Sequence, residues 1–151
     1  MKDLTKHESK YILKNNYIGN LSFIWKSQPY VIPISYYYSE AENCIISYSS
    51  EGHKMDAMRI NHAISLGVTE IESVDNWQSI LVFGKFQEVD GTHAKEQLHK
   101  FTSGVKRIIR EKDNKNPQMV NDFSNRTNSK SSPVVYRINI TDISGKSSDI
   151  V

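Results

Sequence analysis

The chain has little of several features that define common protein classes. One cysteine, Cys44, among 151 residues excludes an intrachain disulfide and any metal site built from several thiolates. No apolar run approaches the ~20 residues of a membrane-spanning helix, so we expect no membrane association. Residues 1–8 place no apolar segment after their charges, which predicts a cytoplasmic protein without a signal peptide.

Charge and motif content exclude further classes. A net charge of +2, from 19 basic and 17 acidic side chains, does not support nucleic-acid binding. The sequence contains no glycine-rich phosphate loop, no serine-nucleophile elbow and no histidine pair at helical spacing, so we predict no metal site. Residues 39–90 are net acidic and residues 95–115 net basic. These segments either pair within the fold or across a dimer, or form ordinary solvated faces.

The residues that are present predict one mainly β domain over residues 1–151. Apolar residues make up 38% of the chain and aromatic residues 10%, which argues against disorder. Six β-type runs are predicted as strands, at residues 21–26, 30–38, 44–48, 63–71, 79–89 and 134–141. Helices are predicted over 5–15 and 93–110, the second with Thr92 as its N-cap. Consecutive strands with flanking helices favour a meander or barrel, and residues 113–132 read as a long loop or lid.

The segment from Ser47 to Lys54 is the first candidate binding site. Three serines and a tyrosine are followed by a glycine-containing turn, a lysine and the start of a short helix. Hydroxyls and exposed N–H groups donate hydrogen bonds to a phosphate while an ammonium supplies charge, so the segment suits a phosphate site. The alternative interpretation is an ordinary polar turn.

Two features near the fifth predicted strand carry a second hypothesis. Trp77 stands before this strand, where an indole offers a stacking surface and an N–H donor. It could equally cap one end of a barrel. Gly84 and Lys85 interrupt the strand pattern, which predicts a bulge or a close backbone approach. Cys44, inside an apolar run, is expected to be a small buried hydrophobe.

Four segments together resemble one family. They are P-Y-V-I-P-I-S-Y at 29–36, S-Y-S-S-E-G-H-K-M at 47–55, N-W-Q-S-I-L-V-F-G-K-F at 76–86 and V-Y-R-I-N-I-T-D-I-S-G-K at 135–146. In order and spacing they are similar to the FMN-binding split β-barrel proteins related to pyridoxamine 5′-phosphate oxidase. The branch they resemble contains flavin-nucleotide-binding and nitroimidazole-resistance proteins.

This resemblance implies a six-stranded antiparallel split β-barrel, a homodimer with FMN at the subunit interface, and a small-molecule substrate. The strand at 31–36 would lie along the isoalloxazine, residues 47–49 and 53–54 would hold ribityl and phosphate, and residues 77 and 79 would reach the flavin from the other subunit. The cofactor-binding residues it implies are Val31, Ile32, Pro33, Ile34, Ser35, Tyr36, Ser47, Tyr48, Ser49, His53, Lys54, Trp77 and Ser79.

The resemblance does not identify the reaction. Val31 stands where pyridoxamine 5′-phosphate oxidases carry an arginine, and Ser47 where nitroimidazole-resistance relatives carry a histidine. We therefore expect an FMN-dependent oxidoreductase without naming its substrate or any catalytic residue. The alternatives are a non-catalytic flavin-binding or flavin-sensing module, and a split barrel that uses haem or deazaflavin.

Overall fold

The computed structural model describes residues 1–113 and 133–149, and these form a mainly β fold with three helices. The predicted class is confirmed, although these described residues form eight strands where six were predicted. Most of the predicted loop at 113–132 lies outside the described residues. The strands are β1 (Lys2–Asp3), β2 (Ile18–Trp25), β3 (Gln28–Ser35), β4 (Tyr37–Ser39), β5 (Cys44–Ser49), β6 (Ala63–Ser73), β7 (Asn76–Val89) and β8 (Val134–Ser147). The helices are α1 (Lys6–Lys14), α2 (His53–Ile60) and α3 (Gly91–Ile108), and a π-helical segment follows α3 at Ile109–Asp113.

All eight strands belong to one antiparallel sheet. Its order is β3-β2-β6-β7-β8-β5-β4, with β1 pairing on β8. Strands β3 and β4 are the two ends of this order and do not pair with each other in the part of the chain that the structure describes. The described strands therefore form an open, split barrel, and the outer edge of β3 pairs with no other strand among them.

Two apolar clusters form the core. The larger one combines inward side chains of the sheet with α1 and α2, among them Leu21, Ile34 and Met58. The smaller one lies between α3 and the β5–β8 side of the sheet, where Phe101 and Val105 pack with Cys44. Cys44 is fully buried, as predicted, and burial raises the pKa of its thiol to about 11.

Several predicted boundaries were wrong; the last strand, for example, extends to Ser147 where it was predicted to end at residue 141. The run at 30–38 is not one strand, because it breaks at Tyr36 into β3 and β4. Helix α3 begins at Gly91 with Asp90 as its N-cap rather than Thr92, and Gly91 adopts a φ of 63°, a conformation that favours glycine. None of the helices in residues 1–113 and 133–149 is long and apolar enough to cross a membrane.

The bulge predicted at Gly84 is confirmed. The pairing of β7 with β8 shifts between Phe83 and Gly84, which leaves Thr141 as the extra residue on β8. A Cβ atom at Gly84 would lie 2.5 Å from the Ile138 Cγ2 and 2.7 Å from the Asn139 carbonyl oxygen. The glycine therefore also permits the close approach of the two backbones, which was the alternative prediction.

The acidic and basic segments pair within the fold. Lys100 of α3 lies 2.8 Å from Glu42, and Lys112 lies 3.5 Å from Glu70. Glu42 also accepts hydrogen bonds from Gln97 and Arg137. Together these contacts lower the pKa of Glu42 to about 2, with the hydrogen bond from Lys100 as the largest cause.

Candidate functional site

Lys54 lies in the first turn of α2, and its side chain is half-buried. Burial lowers its pKa to about 8. Within the residues that the structure describes, no carboxylate forms an ion pair with Lys54 and no acceptor binds its Nζ. The N-cap residue of α2 is Gly52, which has no side chain to cap the N–H groups of the first turn. A desolvated cation beside uncapped helix N–H groups is an arrangement that suits an anion.

Arg59 fixes the segment that precedes Lys54. Its guanidinium binds both carboxylate oxygens of Glu51, with Nη1–Oε1 at 2.7 Å and Nη2–Oε2 at 2.9 Å. Its Nε donates to Glu88 of β7 at 2.8 Å. These bonds connect the turn, α2 and β7, and they lower the pKa of Glu51. No sequence pattern indicates this pair, because Glu51 precedes α2 and Arg59 lies near the end of that helix.

His53 joins α2 to the end of the β2–β3 hairpin. Its ring makes edge contacts with Trp25 and Tyr30 at 5.1 Å and with Phe23 at 6.1 Å. The rings of Phe23 and Tyr30 stack at 5.3 Å. His53 itself remains exposed. The cluster holds the first turn of α2, and with it Lys54, against this end of the sheet.

The predicted serines at the end of β5 are buried. The Ser47 hydroxyl donates to the Ser35 carbonyl oxygen at 2.8 Å, which connects β5 to the end of β3. The Ser49 hydroxyl donates to the Ser50 carbonyl oxygen at 3.0 Å. Tyr48 points the other way and packs edge-on against Phe101 at 5.1 Å. The structure thus brings Ser47 and Ser35 together and directs the Tyr48 ring into the α3 cluster.

Strand β3 alternates between the core and the surface. Val31 is 65% exposed and Pro33 is also exposed, whereas Ile34 is fully buried and Ile32 half-buried. Tyr36, just after the strand, is a core residue. Its hydroxyl donates to the Leu13 carbonyl oxygen at 2.7 Å, and burial, with a contribution from the charge of Glu70, raises its pKa. Over residues 31–36 the exposed side chains are therefore Val31 and Pro33, and they lie on a strand whose outer edge pairs with no other described strand.

Trp77 and Ser79 lie on the outward face of β7. Both are half-buried and share this face with Leu81 and Phe83, because side chains alternate along a strand. The Trp77 backbone N–H donates to the Ser148 hydroxyl at 3.2 Å, and its carbonyl oxygen accepts from the Ser148 N–H at 3.0 Å. Trp77 pairs with Ile71 at the β6–β7 hairpin.

Within one chain, Trp77 is remote from Lys54. His53, the neighbour of Lys54, contacts Phe23 of β2. Ser22, the residue before Phe23, pairs with Ser65 of β6, which in turn pairs with Phe83 of β7. Trp77 stands six positions further along β7, about 20 Å away at ~3.4 Å per residue. The predicted residues therefore form two groups, one around β3, β5 and α2 and the other at the β6–β7 hairpin.

The outward sheet face exposes several large apolar side chains. In the apolar run at 80–83, Leu81 is 38% and Phe83 46% exposed. Ile24 and Val31, on the same face of β2 and β3, are also exposed. Alternation alone would have identified these outward positions once the strand order was known.

Comparison with known proteins assigns this architecture. A family model of pyridoxamine 5′-phosphate oxidase matches residues 5–147. The chain belongs to this family. A relative within curated proteins, an uncharacterized protein of Rhizobium meliloti (strain 1021), is 31% identical over 98 residues. That alignment spans 64% of this chain and 64% of the relative.

Solved structures share the pyridoxamine 5′-phosphate oxidase-like split-barrel fold. A FAD-binding protein from Mesorhizobium loti is 26% identical, with a TM-score of 0.74, over 97% of this chain and 95% of that one. A FAD and haem binding protein from Mycobacterium smegmatis is 16% identical, with a TM-score of 0.70, over 99% of this chain and 74% of that one. The second likeness concerns the fold alone. The family and fold that the sequence segments resembled are confirmed.

Proposed function

We propose that this member of the pyridoxamine 5′-phosphate oxidase family binds FMN and acts as an oxidoreductase on a small molecule. The observation that carries the proposal is the desolvated ammonium of Lys54, which has no counter-ion among the described residues. A phosphate would supply the missing charge, and the first turn of α2 offers N–H donors beside it. The chemistry of the donor set therefore fits the phosphate of a flavin nucleotide.

The remaining residues suit the rest of the cofactor. Around Val31 and Pro33 the outer edge of β3 pairs with no other described strand, and these two side chains provide apolar surface beside it. Ser47 holds the end of β3 against β5 through its bond to Ser35. When bound, FMN supplies the hydride or electron transfer, and the protein positions it and excludes water. We assign no catalytic side chain.

We further propose that the protein is a homodimer with a shared site. Trp77 and Ser79 lie about 20 Å and about 14 Å along the sheet from the level of His53, so a second copy would have to bring them to the same FMN. The exposed apolar face of β2, β3 and β7 is the surface that such a copy would cover. This arrangement would also explain the apolar run at 80–83.

FAD is the second candidate cofactor. It is favoured by the FAD-binding protein from Mesorhizobium loti, which is 26% identical over nearly the whole chain. FAD carries a phosphate in the same position as FMN and an additional adenylate. Lys54 would therefore bind the same phosphate in both flavins, which differ only in the adenylate that FAD carries.

Titration of the apo protein with FMN, FAD and riboflavin tests the proposal. We expect FMN to bind more tightly than riboflavin, because only FMN carries a phosphate for Lys54. Equal affinity for the two would contradict the phosphate site, and tighter binding of FAD would replace FMN as the cofactor. Stopped-flow reduction by NADH or NADPH, followed by reoxidation, then separates an enzyme from a flavin-storing or flavin-sensing module.

A further inference from the structure

We propose that Arg59 is a positioning residue that keeps Glu51 away from the phosphate site at Lys54. The inference rests on the proposed function and deepens it, because it explains how an acidic turn can serve as an anion site. Arg59 would act through Glu51 and would not touch the cofactor itself.

The turn before α2 carries negative charge close to the proposed phosphate. Glu51 stands three residues before Lys54, and Asp56 lies two residues after it. Three residues of backbone span at most about 10 Å, so the Glu51 side chain is long enough to reach the Lys54 ammonium. In the structure it does not do so, and burial is the only cause of the lowered pKa of Lys54.

The geometry of Arg59 explains why Glu51 turns away. The guanidinium occupies both carboxylate oxygens of Glu51, at 2.7 and 2.9 Å, in the bidentate arrangement that fixes a carboxylate most firmly. Its Nε is anchored separately on Glu88 at 2.8 Å, and its Nη1 lies 3.7 Å from Asp56. One arginine therefore binds the acidic side chains on either side of Lys54.

Loss of Arg59 would release Glu51. The freed carboxylate would pair with Lys54, which has no other anion among the described residues, and would repel a phosphate from the same place. Riboflavin has no phosphate, so its binding would be little affected. A merely structural role of Arg59, through its bond to Glu88, would instead weaken both ligands alike.

Double substitutions separate these roles. We expect Arg59→Gln to weaken FMN binding by at least about tenfold while riboflavin affinity changes less than about twofold. Arg59→Gln combined with Glu51→Gln should recover FMN affinity to within about threefold of the natural protein, because the interfering charge is gone. The matched control, Arg59→Gln with Glu88→Gln, removes a carboxylate from β7 and should stay as weak as Arg59→Gln alone.

Equilibrium titrations with FMN and riboflavin on all four proteins measure these affinities. Failure of the Glu51→Gln rescue, or an equal loss for riboflavin, would overturn the inference about Arg59. If the unsubstituted protein does not prefer FMN over riboflavin, the proposed function is wrong independently of Arg59. Should Arg59→Gln not fold, Arg59→Lys, which keeps the charge but loses the bidentate contact, takes its place with the same rescue by Glu51→Gln.

Discussion

FMN affinity should depend on pH through the ionisation of Lys54. Its pKa of about 8 lies well below that of an ordinary lysine, because the ammonium is buried. Only the charged form holds a phosphate, and about nine-tenths of the side chain is charged at pH 7 but about one-tenth at pH 9. Affinity scales with the competent fraction, so the Kd for FMN should rise about tenfold between these pH values.

Substitutions at Lys54 provide the controls for this dependence. Lys54→Ala removes a charge-assisted hydrogen bond of about 1.5–3 kcal/mol, so FMN should bind roughly 10- to 150-fold more weakly at pH 7, with the pH dependence lost. Lys54→Arg keeps its charge at pH 9, so any affinity that it retains should not vary over this range.

Fluorescence titration with FMN, and with riboflavin as the ligand that lacks the phosphate, checks the prediction at both pH values. Riboflavin affinity should change little. A tenfold loss of FMN affinity that persists in Lys54→Ala would show that another group titrates. An FMN affinity that is unchanged in Lys54→Ala would refute the assignment of the phosphate to this residue.

Three other predictions concern the interface, Trp77 and Glu42. We expect a dimer whose interface buries more than about 2,000 Å², so light scattering should give twice the mass of one chain. Phe83→Glu on the exposed face should yield a folded monomer, and a stable natural monomer near 17.3 kDa would contradict the prediction. Trp77→Ala should weaken FMN binding by about 1–3 kcal/mol and brighten bound-flavin emission, whereas a barrel cap predicts only a lower apo Tm. Glu42→Gln should lower the free energy of unfolding, measured with denaturant at pH 7, by about 1–2 kcal/mol, because the ion pairs of Glu42 are partly screened by solvent. This loss should shrink as pH falls from 4.5 toward 2, because the pKa of Glu42 is lowered in the folded state. An equal loss at pH 3 would contradict the ion-pair account.

Most of the fold could be predicted from the strand patterns and the turn residues of the sequence. The alternation in β2 and β8 and the bulge at Gly84 were visible locally, because each follows from side-chain period or from a missing Cβ. Strand β1 was missed because its two residues pair with Ser147 and Lys146 across nearly the whole chain, and nothing local marks such a contact. The break at Tyr36 was missed because its residues are all β-type and the break depends on tertiary bonds to Tyr17 and Leu13.

Less of the candidate site could be predicted from the sequence. Residue types around Lys54 suggested a phosphate site, but the alternative of a polar turn could be weighed only once burial and the lack of a partner among the described residues were known. The Arg59–Glu51 pair depends on how α2 folds back on its preceding turn. The division of the predicted residues into two groups, at Lys54 and at Trp77, follows from strand register, which no local pattern specifies.

The visible absorption spectrum of the purified protein, recorded before and after incubation with FMN and removal of unbound ligand, tests the central claim most directly. Our account predicts the two-band spectrum of an oxidised flavin that stays with the protein, released on denaturation as FMN. A Soret band without flavin bands would indicate haem, and a protein that remains colourless after incubation with FMN would contradict flavin binding.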